Sequence, residues 1–565
     1  MAGERRIDPL TSLRFIAATF VIAYHGKGIF VFFDNMPEYL AYTQPVCFFF
    51  LLSGFILSYV YHDFKNFDEI TQCWLKRFAR IWPLHISIFV LRFFMFPKYL
   101  LTFPGAAPKL LVMLSNIFML HGWVPLFQYF FSYNAPSWSI STEFFFYLVF
   151  PFILPLVSKR PYWSLVVSFA INALAIYACN LANLPEINEQ GIELRGILYI
   201  IPPPRLFEFV LGMVIAKVFL GPAQNFKPSV TLATLIEGFA LALTTYLCIN
   251  TRPIAAQLAQ QAWIGPAGGY WFINTGVPLV GFVLTIFIMA INRGLFSRLF
   301  SLAPFVFLGE ISYSVYLLHH PLLCYHGLYL SQYRDTAALL HFSAILFIAS
   351  HLMYRWVEAP MRQFIVASGT RVLRHRQKTE PTAKRPARAT SKKALAWYGI
   401  EAAVLVALIC TATPPLKTMT IEQAEQESQS NDAIVKNVSF DKDIYLLSAR
   451  RQKNGHRLVA IWKANNTFKA GQFLNIQFLD KDGKLIATQV VRLAQVDKKI
   501  EQGTIWQEDI DLMEAHSNEA TSLGLIIYES EHNIKVAQKE GLAAMNEEPI
   551  TIDQESHRLI LKWKD

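Results

Sequence analysis

Apolar runs about as long as a bilayer is thick recur from the start of the chain to residue 414. They cover 11–31, 41–61, 81–103, 110–127, 143–158, 163–183, 196–220, 228–249, 270–291, 304–329, 337–358 and 394–414. At 1.5 Å per residue, roughly 20 such residues cross a hydrocarbon core of about 30 Å. Lipid cannot satisfy open backbone groups, so these runs must be helices. From residue 417 onward the chain is polar and holds no such run. The chain therefore reads as a polytopic helical membrane part followed by something else.

Charge orients the spans. The net charge is +10, but the basic residues cluster in short loops, which reports membrane orientation rather than a nucleic-acid surface. Arg5 and Arg6 place the N-terminus in the cytoplasm, and Lys65, Lys76, Arg77 and Arg80 place the loop after the second span there too. Lys159 with Arg160, and Arg293 with Arg298, mark further cytoplasmic loops, whereas Glu186, Glu189 and Glu193 suit the outer side. The first run is too long for a signal peptide, and no small-residue cleavage site follows His25, so it reads as a retained span. A full crossing by 110–127 would put Lys159 and Arg160 outside. That segment is therefore expected to be re-entrant or interfacial, leaving about ten core spans.

The expected domains are a membrane domain over 1–365, a basic cytoplasmic linker over 366–393, a further span over 394–414, a linker over 415–431 and an outer domain over 432–565. The basic linker sets nine Lys and Arg residues, Arg371 to Lys393, against the single acid Glu380, a composition that suits anionic lipid. Beyond residue 432 the stretches HRLVAIWKA, GQFLNIQFLD, KLIATQVVRL, TIWQEDIDL, LGLIIYES and HRLILKWK alternate apolar and polar residues. That period, with turn signals such as Asp482-Gly483, predicts a small all-β sandwich outside the membrane. Trp462, Trp506 and Trp563 either face a glycan there or form its core. The six cysteines all precede residue 417 and lack metal-ligand spacing, so they read as small apolar residues and no metal is expected.

Several polar groups interrupt the spans. Arg14 and His25 are eleven residues apart on the first one, hence on one helical stripe and about 16 Å apart along the axis. Two readings fit: they line a polar cavity, or Arg14 snorkels to the headgroups while His25 bonds a neighbouring helix. Ser53-Gly54 breaks the aromatic second span, where glycine permits close helix approach. Arg77 and Arg80 share a face at the cytoplasmic interface, as a two-pronged phosphate clamp or as a positive anchor. Glu143 opens an apolar helix toward the outer side and could serve as its cap. Arg205 and Glu208 read as a structural pair. His319 lies about 22 Å into a span that begins at Pro304, and Glu358 closes the last core span.

These segments, in this order, resemble the acyltransferase-3 family of integral-membrane acyltransferases, which includes bacterial polysaccharide and O-antigen O-acetyltransferases. The resemblance covers about residues 6–365. The Arg-x10-His signature falls on Arg14 and His25, and the Phe-Phe-x-Leu-Ser-Gly-Phe element on Phe49–Phe55. Arg-x-x-Arg falls on Arg77 and Arg80, and Trp-Ser-x-x-x-Glu on Trp138, Ser139 and Glu143. Ser-Tyr-x-x-Tyr-x-x-His falls on Ser312, Tyr313, Tyr316 and His319.

The resemblance implies an acyl-coenzyme A donor, most often acetyl, and a sugar hydroxyl acceptor on a lipid-linked or polymeric glycan. It implies Arg77 and Arg80 on the donor's phosphates and His25, near mid-membrane, as general base or transient acyl carrier. Arg14 would orient the donor or stabilise an oxyanion. Glu143 and His319 would tune His25 or position the acceptor, with Trp138, Ser139, Tyr313 and Tyr316 holding substrate. The setting it implies is a bacterial inner membrane, N-terminus inside and β domain periplasmic. A transporter or flippase of a lipid-linked sugar would also use intramembrane histidines, but the spans carry no inverted repeat. A sensor signalling to the β domain would leave the arginine pair unexplained.

Overall fold

A computed structural model describes residues 6–36, 44–96, 109–188, 191–261, 264–331 and 333–376, and beyond them the strands that lie between 418 and 562. Most of the basic linker, the span expected at 394–414, Asp482-Gly483 and Trp563 lie outside the described residues. The chain divides into two compact units. One comprises 1–27, 35–322 and 344–403, and the other 28–34, 323–343 and 404–565.

The helices run in chain order as α1 (Asp8–His25), α2 (Pro45–Val60), α3 (Phe67–Met95), α4 (Lys109–Ile117), α5 (Trp138–Lys159) and α6 (Pro161–Leu181). After them come α7 (Leu206–Leu220), α8 (Val230–Ile249), α9 (Gly265–Ile291), α10 (Ala303–Tyr329), α11 (Thr336–Met353) and α12 (Ala359–Arg376). Among the described residues, 6 helices are long and apolar enough to cross a membrane: α3, Ala135–Lys159, α6, α8, α9 and Thr336–Thr370, which joins α11 to α12. The other expected spans are shorter (α2, α7) or carry more polar residues (α1, α10). On α6 and α8 the exposed side chains include Leu174, Tyr177, Leu235 and Phe239. Lipid can solvate such faces and water cannot, so this is a membrane protein.

Several expected boundaries move, four of them for a clear local reason. The first span ends at His25 rather than residue 31, and the backbone turns through Gly28 at φ 76°. The third starts at Phe67 rather than 81: Asn66 caps it by accepting from the Glu69 amide, and Asp68 and Glu69 favour its first turn. No single helix covers 110–127. Instead α4 has 9 residues, about 14 Å, and short turns at His121–Trp123 and Phe127–Phe130 follow. Pro202, Pro203 and Pro204 withhold three amide donors, so the span expected over 196–220 is split into a π-helical stretch, Arg195–Ile200, and α7, which starts at Leu206.

Glycines set the closest crossings. A Cβ on Gly54 would lie 2.0 Å from the Phe209 carbonyl oxygen, and one on Gly212 would lie 2.0 Å from that of Leu51. Helices α2 and α7 therefore meet backbone to backbone on reciprocal small residues. Gly309 does the same for α10 against the Thr11 carbonyl of α1. Around these crossings Leu10, Leu51, Phe55, Ile286 and Met289 form a buried core.

In the C-terminal region the described strands form antiparallel ladders. One sheet orders Thr418–Met419, Ile505–Asp511, Arg457–Ala464, Ile444–Arg451, Val435–Phe440 and Ala537–Lys539. A second orders Ile550–Asp553, Arg558–Lys562, Ser522–Tyr528, Phe473–Leu479 and Leu485–Arg492. Trp462 is buried at the centre of the first sheet, which makes it a core residue.

Candidate active site

A cavity of about 900 Å³ opens inside the first unit. Arg6, Lys76 and Arg362 line it, as do Arg14, Arg77, Arg80, Ser53, Glu143 and Tyr147, and Phe49, Ser139, Tyr313 and Tyr316. Eight of the ten residues singled out in the sequence are thus at this cavity or one step from it: Arg14, Arg77, Arg80, Glu143, Ser139, Tyr313 and Tyr316 on its wall, and His319 beside Tyr316.

The arginines are less alike than their spacing suggests. Because α3 begins at Phe67, Arg77 and Arg80 lie inside the helix rather than ahead of it. Arg80 Nη1 donates to Glu358 Oε1 at 3.1 Å, and the other Glu358 oxygen accepts from Ser314 Oγ at 3.0 Å. Arg77 has no ion pair among the described residues. Its guanidinium lies over the rings of Tyr61, at 5.7 Å, and Tyr147, at 6.0 Å. Arg77 is thus the freer of the two to meet an anion.

Glu143 departs from its expected capping role. Helix α5 starts at Trp138, so Glu143 lies inside it, on the wall shared with the arginine pair. Its Oε1 accepts from Ser53 Oγ at 3.3 Å and from the Tyr147 hydroxyl. Sequence spacing could have supplied Tyr147, four residues along the same face; Ser53 is 90 residues away and could not be read out. Arg205 and Glu208 do pair, Nε to Oε1 at 2.9 Å, with Arg205 Nη1 donating to Thr275 at 3.1 Å. They lie off the cavity.

At the inner end, Ser139 Oγ and Tyr316 Oη are 2.8 Å apart, and both reach the Pro136 carbonyl. The Tyr313 hydroxyl donates to the Ile81 carbonyl at 2.7 Å and ties α10 to α3. Trp138 packs against Phe50 and Tyr199 and supports the wall from behind. Among the described residues, no group of three or more His, Cys, Asp or Glu side chains is placed to hold a metal.

Beyond Tyr316 stand the two histidines. His25 is the last residue of α1 and so lies at that helix's far end, not near its middle. Its Nδ1 is 3.0 Å from His319 Nε2, with the rings stacked, and His319 Nδ1 is 2.6 Å from the Tyr316 carbonyl oxygen. A carbonyl only accepts, so in the neutral pair His319 carries its proton on Nδ1. His319 Nε2 is then a lone pair, His25 Nδ1 must donate to it, and His25 Nε2 is left unprotonated. The chain Tyr316 carbonyl, His319, His25 thus fixes one tautomer and presents a base. His320, which the motif reading passed over, sets its ring edge-on to His25 at 5.7 Å.

Residues 8–354 match the family described as an acyltransferase domain. The chain belongs to this family; it is an enzyme that transfers acyl groups. Among curated proteins it is similar to the acyltransferase MdmB of Streptomyces mycarofaciens, 29% identical over 64% of this chain and 92% of that protein. It is also similar to the peptidoglycan O-acetyltransferase OatA of Listeria monocytogenes, 24% identical over 64% of this chain and 56% of the relative. The O-acetyltransferase OatA of Staphylococcus aureus is 23% identical over 64% and 58%, so the chain spans little more than half the length of either OatA protein. No solved structure matches the chain.

Proposed function

We propose that this protein is a membrane O-acetyltransferase that takes its acyl group from cytoplasmic acyl-coenzyme A and places it on a hydroxyl of a cell-envelope glycan. One observation carries the reading: a cavity lined by cations leads to Tyr316, whose carbonyl orients His319 and, through it, His25. A donor with phosphates at one end and a thioester at the other suits that order. Arg77 meets the phosphates, Arg80 is held beside it by Glu358, and Arg14 stands deeper with Glu143.

In the transfer, the acceptor hydroxyl oxygen attacks the thioester carbonyl and gives its proton to His25 Nε2. The carbon–oxygen bond forms, the carbon–sulfur bond breaks, and the departing thiolate takes that proton from the His25 imidazolium to leave as coenzyme A thiol, which restores the base. His319 stabilises the imidazolium by accepting from Nδ1. The names of the OatA relatives support an O-acetyl product, and one of them a peptidoglycan acceptor. The proposed setting is the bacterial inner membrane with about ten core spans and one linking span, and a sandwich of the two sheets on the periplasmic side near the acceptor.

Purified protein in lipid, given radiolabelled acetyl-coenzyme A and an envelope glycan extract, tests this. Label should reach glycan with the wild type and not with an equally abundant, folded His25→Ala variant. Transfer that survives the substitution would move the chemistry away from His25.

A further inference from the structure

The family match ends at residue 354, yet the cavity wall does not. Helix α12, which begins at Ala359, contributes Arg362, Gln363, Val366 and Ala367 to the lining. It lies tightly against α3: a Cβ on Gly369 would come within 2.3 Å of Leu75 Cδ2. We propose that α12 completes the donor site and that Arg362, opposite Lys76, seats the ribose 3′-phosphate of coenzyme A. This inference rests on the acyl-coenzyme A reading above.

The placement follows from the buried pair one turn deeper. Arg80 on α3 and Glu358, just ahead of α12, are 3.1 Å apart and so mark one level in the bundle. Lys76 is four residues back along α3 and Arg362 four residues on along α12. Each step is one helical turn, about 6 Å, on the same face. The two helices run oppositely there, since Gly369 meets Leu75, so both steps lead toward the same end. Two cations thus line the cavity, one from each helix, at the level next to the Arg80–Glu358 pair.

Neither cation has a carboxylate to itself. Glu358 is one turn from Arg362, but its oxygens are taken by Arg80 and Ser314. The carboxylates that line the cavity, Glu310 and Glu143, are engaged by Arg6 and by Ser53 with Tyr147. Arg362 and Lys76 make no hydrogen bond or ion pair among the described residues, although both border a cavity. Two unpaired cations there suit a phosphate dianion.

The order of charges selects which phosphate. Coenzyme A carries its diphosphate next to the pantetheine arm and its 3′-phosphate one ribose further from the thioester. A donor that enters acyl end first puts the diphosphate at the level of Arg77 and Arg80 and the 3′-phosphate one turn outward. Arg362 and Lys76 are at that outer turn.

The test is equilibrium binding of acetyl-coenzyme A and its 3′-dephospho form to the full chain in lipid nanodiscs. Wild type, Arg362→Ala, Lys76→Ala and Arg362→Lys are compared. Wild type should prefer acetyl-coenzyme A by about tenfold or more, as expected for one charge-assisted phosphate contact. Arg362→Ala should lose most of that preference while binding the dephospho form as wild type does, which also shows that the variant is folded. Lys76→Ala should behave similarly, and Arg362→Lys should keep part of the preference. Equal wild-type affinity for the two donors, or equal weakening of both by Arg362→Ala, overturns the inference and leaves the donor reading standing. Failure of wild type to bind either donor overturns both.

Discussion

His319→Ala isolates the contact that sets the tautomer of His25, the proposed base. The substitution removes the acceptor for His25 Nδ1–H, a bond of 3.0 Å, and leaves that part-buried donor without its partner. Losing one partner of a buried hydrogen bond costs about 1–3 kcal/mol. If the whole cost falls on the transition state, where His25 is becoming an imidazolium, turnover drops roughly 5- to 150-fold. His25→Ala removes the base itself and should cost about 10²- to 10⁴-fold. His319→Gln should lie between His319→Ala and wild type, because its amide oxygen accepts from His25 while its amide N–H points back toward the Tyr316 carbonyl. The assay is label transfer from acetyl-coenzyme A to glycan, with kcat and donor KM measured separately at matched amounts of folded protein. His319 is not among the residues lining the cavity, so the loss belongs in kcat. A donor KM that rises while kcat holds, or a Gln variant as slow as the Ala variant, would refute the tautomer relay.

Two further outcomes concern the scaffold. Glu358→Gln leaves Arg80 without its ionic partner; because Arg80 opens onto the cavity, the loss should be about 1–3 kcal/mol rather than the full cost of breaking a buried pair. A drop of several degrees in the thermal midpoint of the purified protein is the readout, with Ser314→Ala milder. Gly54→Val drives a side chain into the Phe209 carbonyl. It should abolish accumulation of monodisperse protein in size-exclusion chromatography, whereas Phe20→Ala, on an exposed position of α1, should not.

The sequence disclosed the helices better than their ends, and the cavity's members better than their partners. Apolar length marked most helices, but a hydropathy window treats charge as interface. It therefore started α3 after Arg80, although Asn66, Asp68 and Glu69 spelled out an earlier N-terminus. The charges are tolerated inside because they face an open cavity and one another. Local pairs such as Arg205 with Glu208 follow from helical spacing. The Arg80–Glu358 and His25–His319 contacts join residues 278 and 294 positions apart, which no spacing rule reaches. Arg362 escaped notice because it looks like the start of a basic tail until the cavity wall is seen to include it.

Arg14 and His25 sit on a single continuous helix, and that makes α1 a ruler with a phase. Backbone hydrogen bonds hold the two side chains about 16 Å apart and within roughly 20° of the same azimuth, however the surrounding helices breathe. Inserting one residue between them would lengthen the ruler by only about 1.5 Å but rotate His25 by about 100°, off the ring of His319. Length between these two groups is therefore forgiving and phase is not, whereas the connections between helices carry no such restriction. Whatever is handed along this route meets its two polar stations at a separation written into one rigid element rather than negotiated between several.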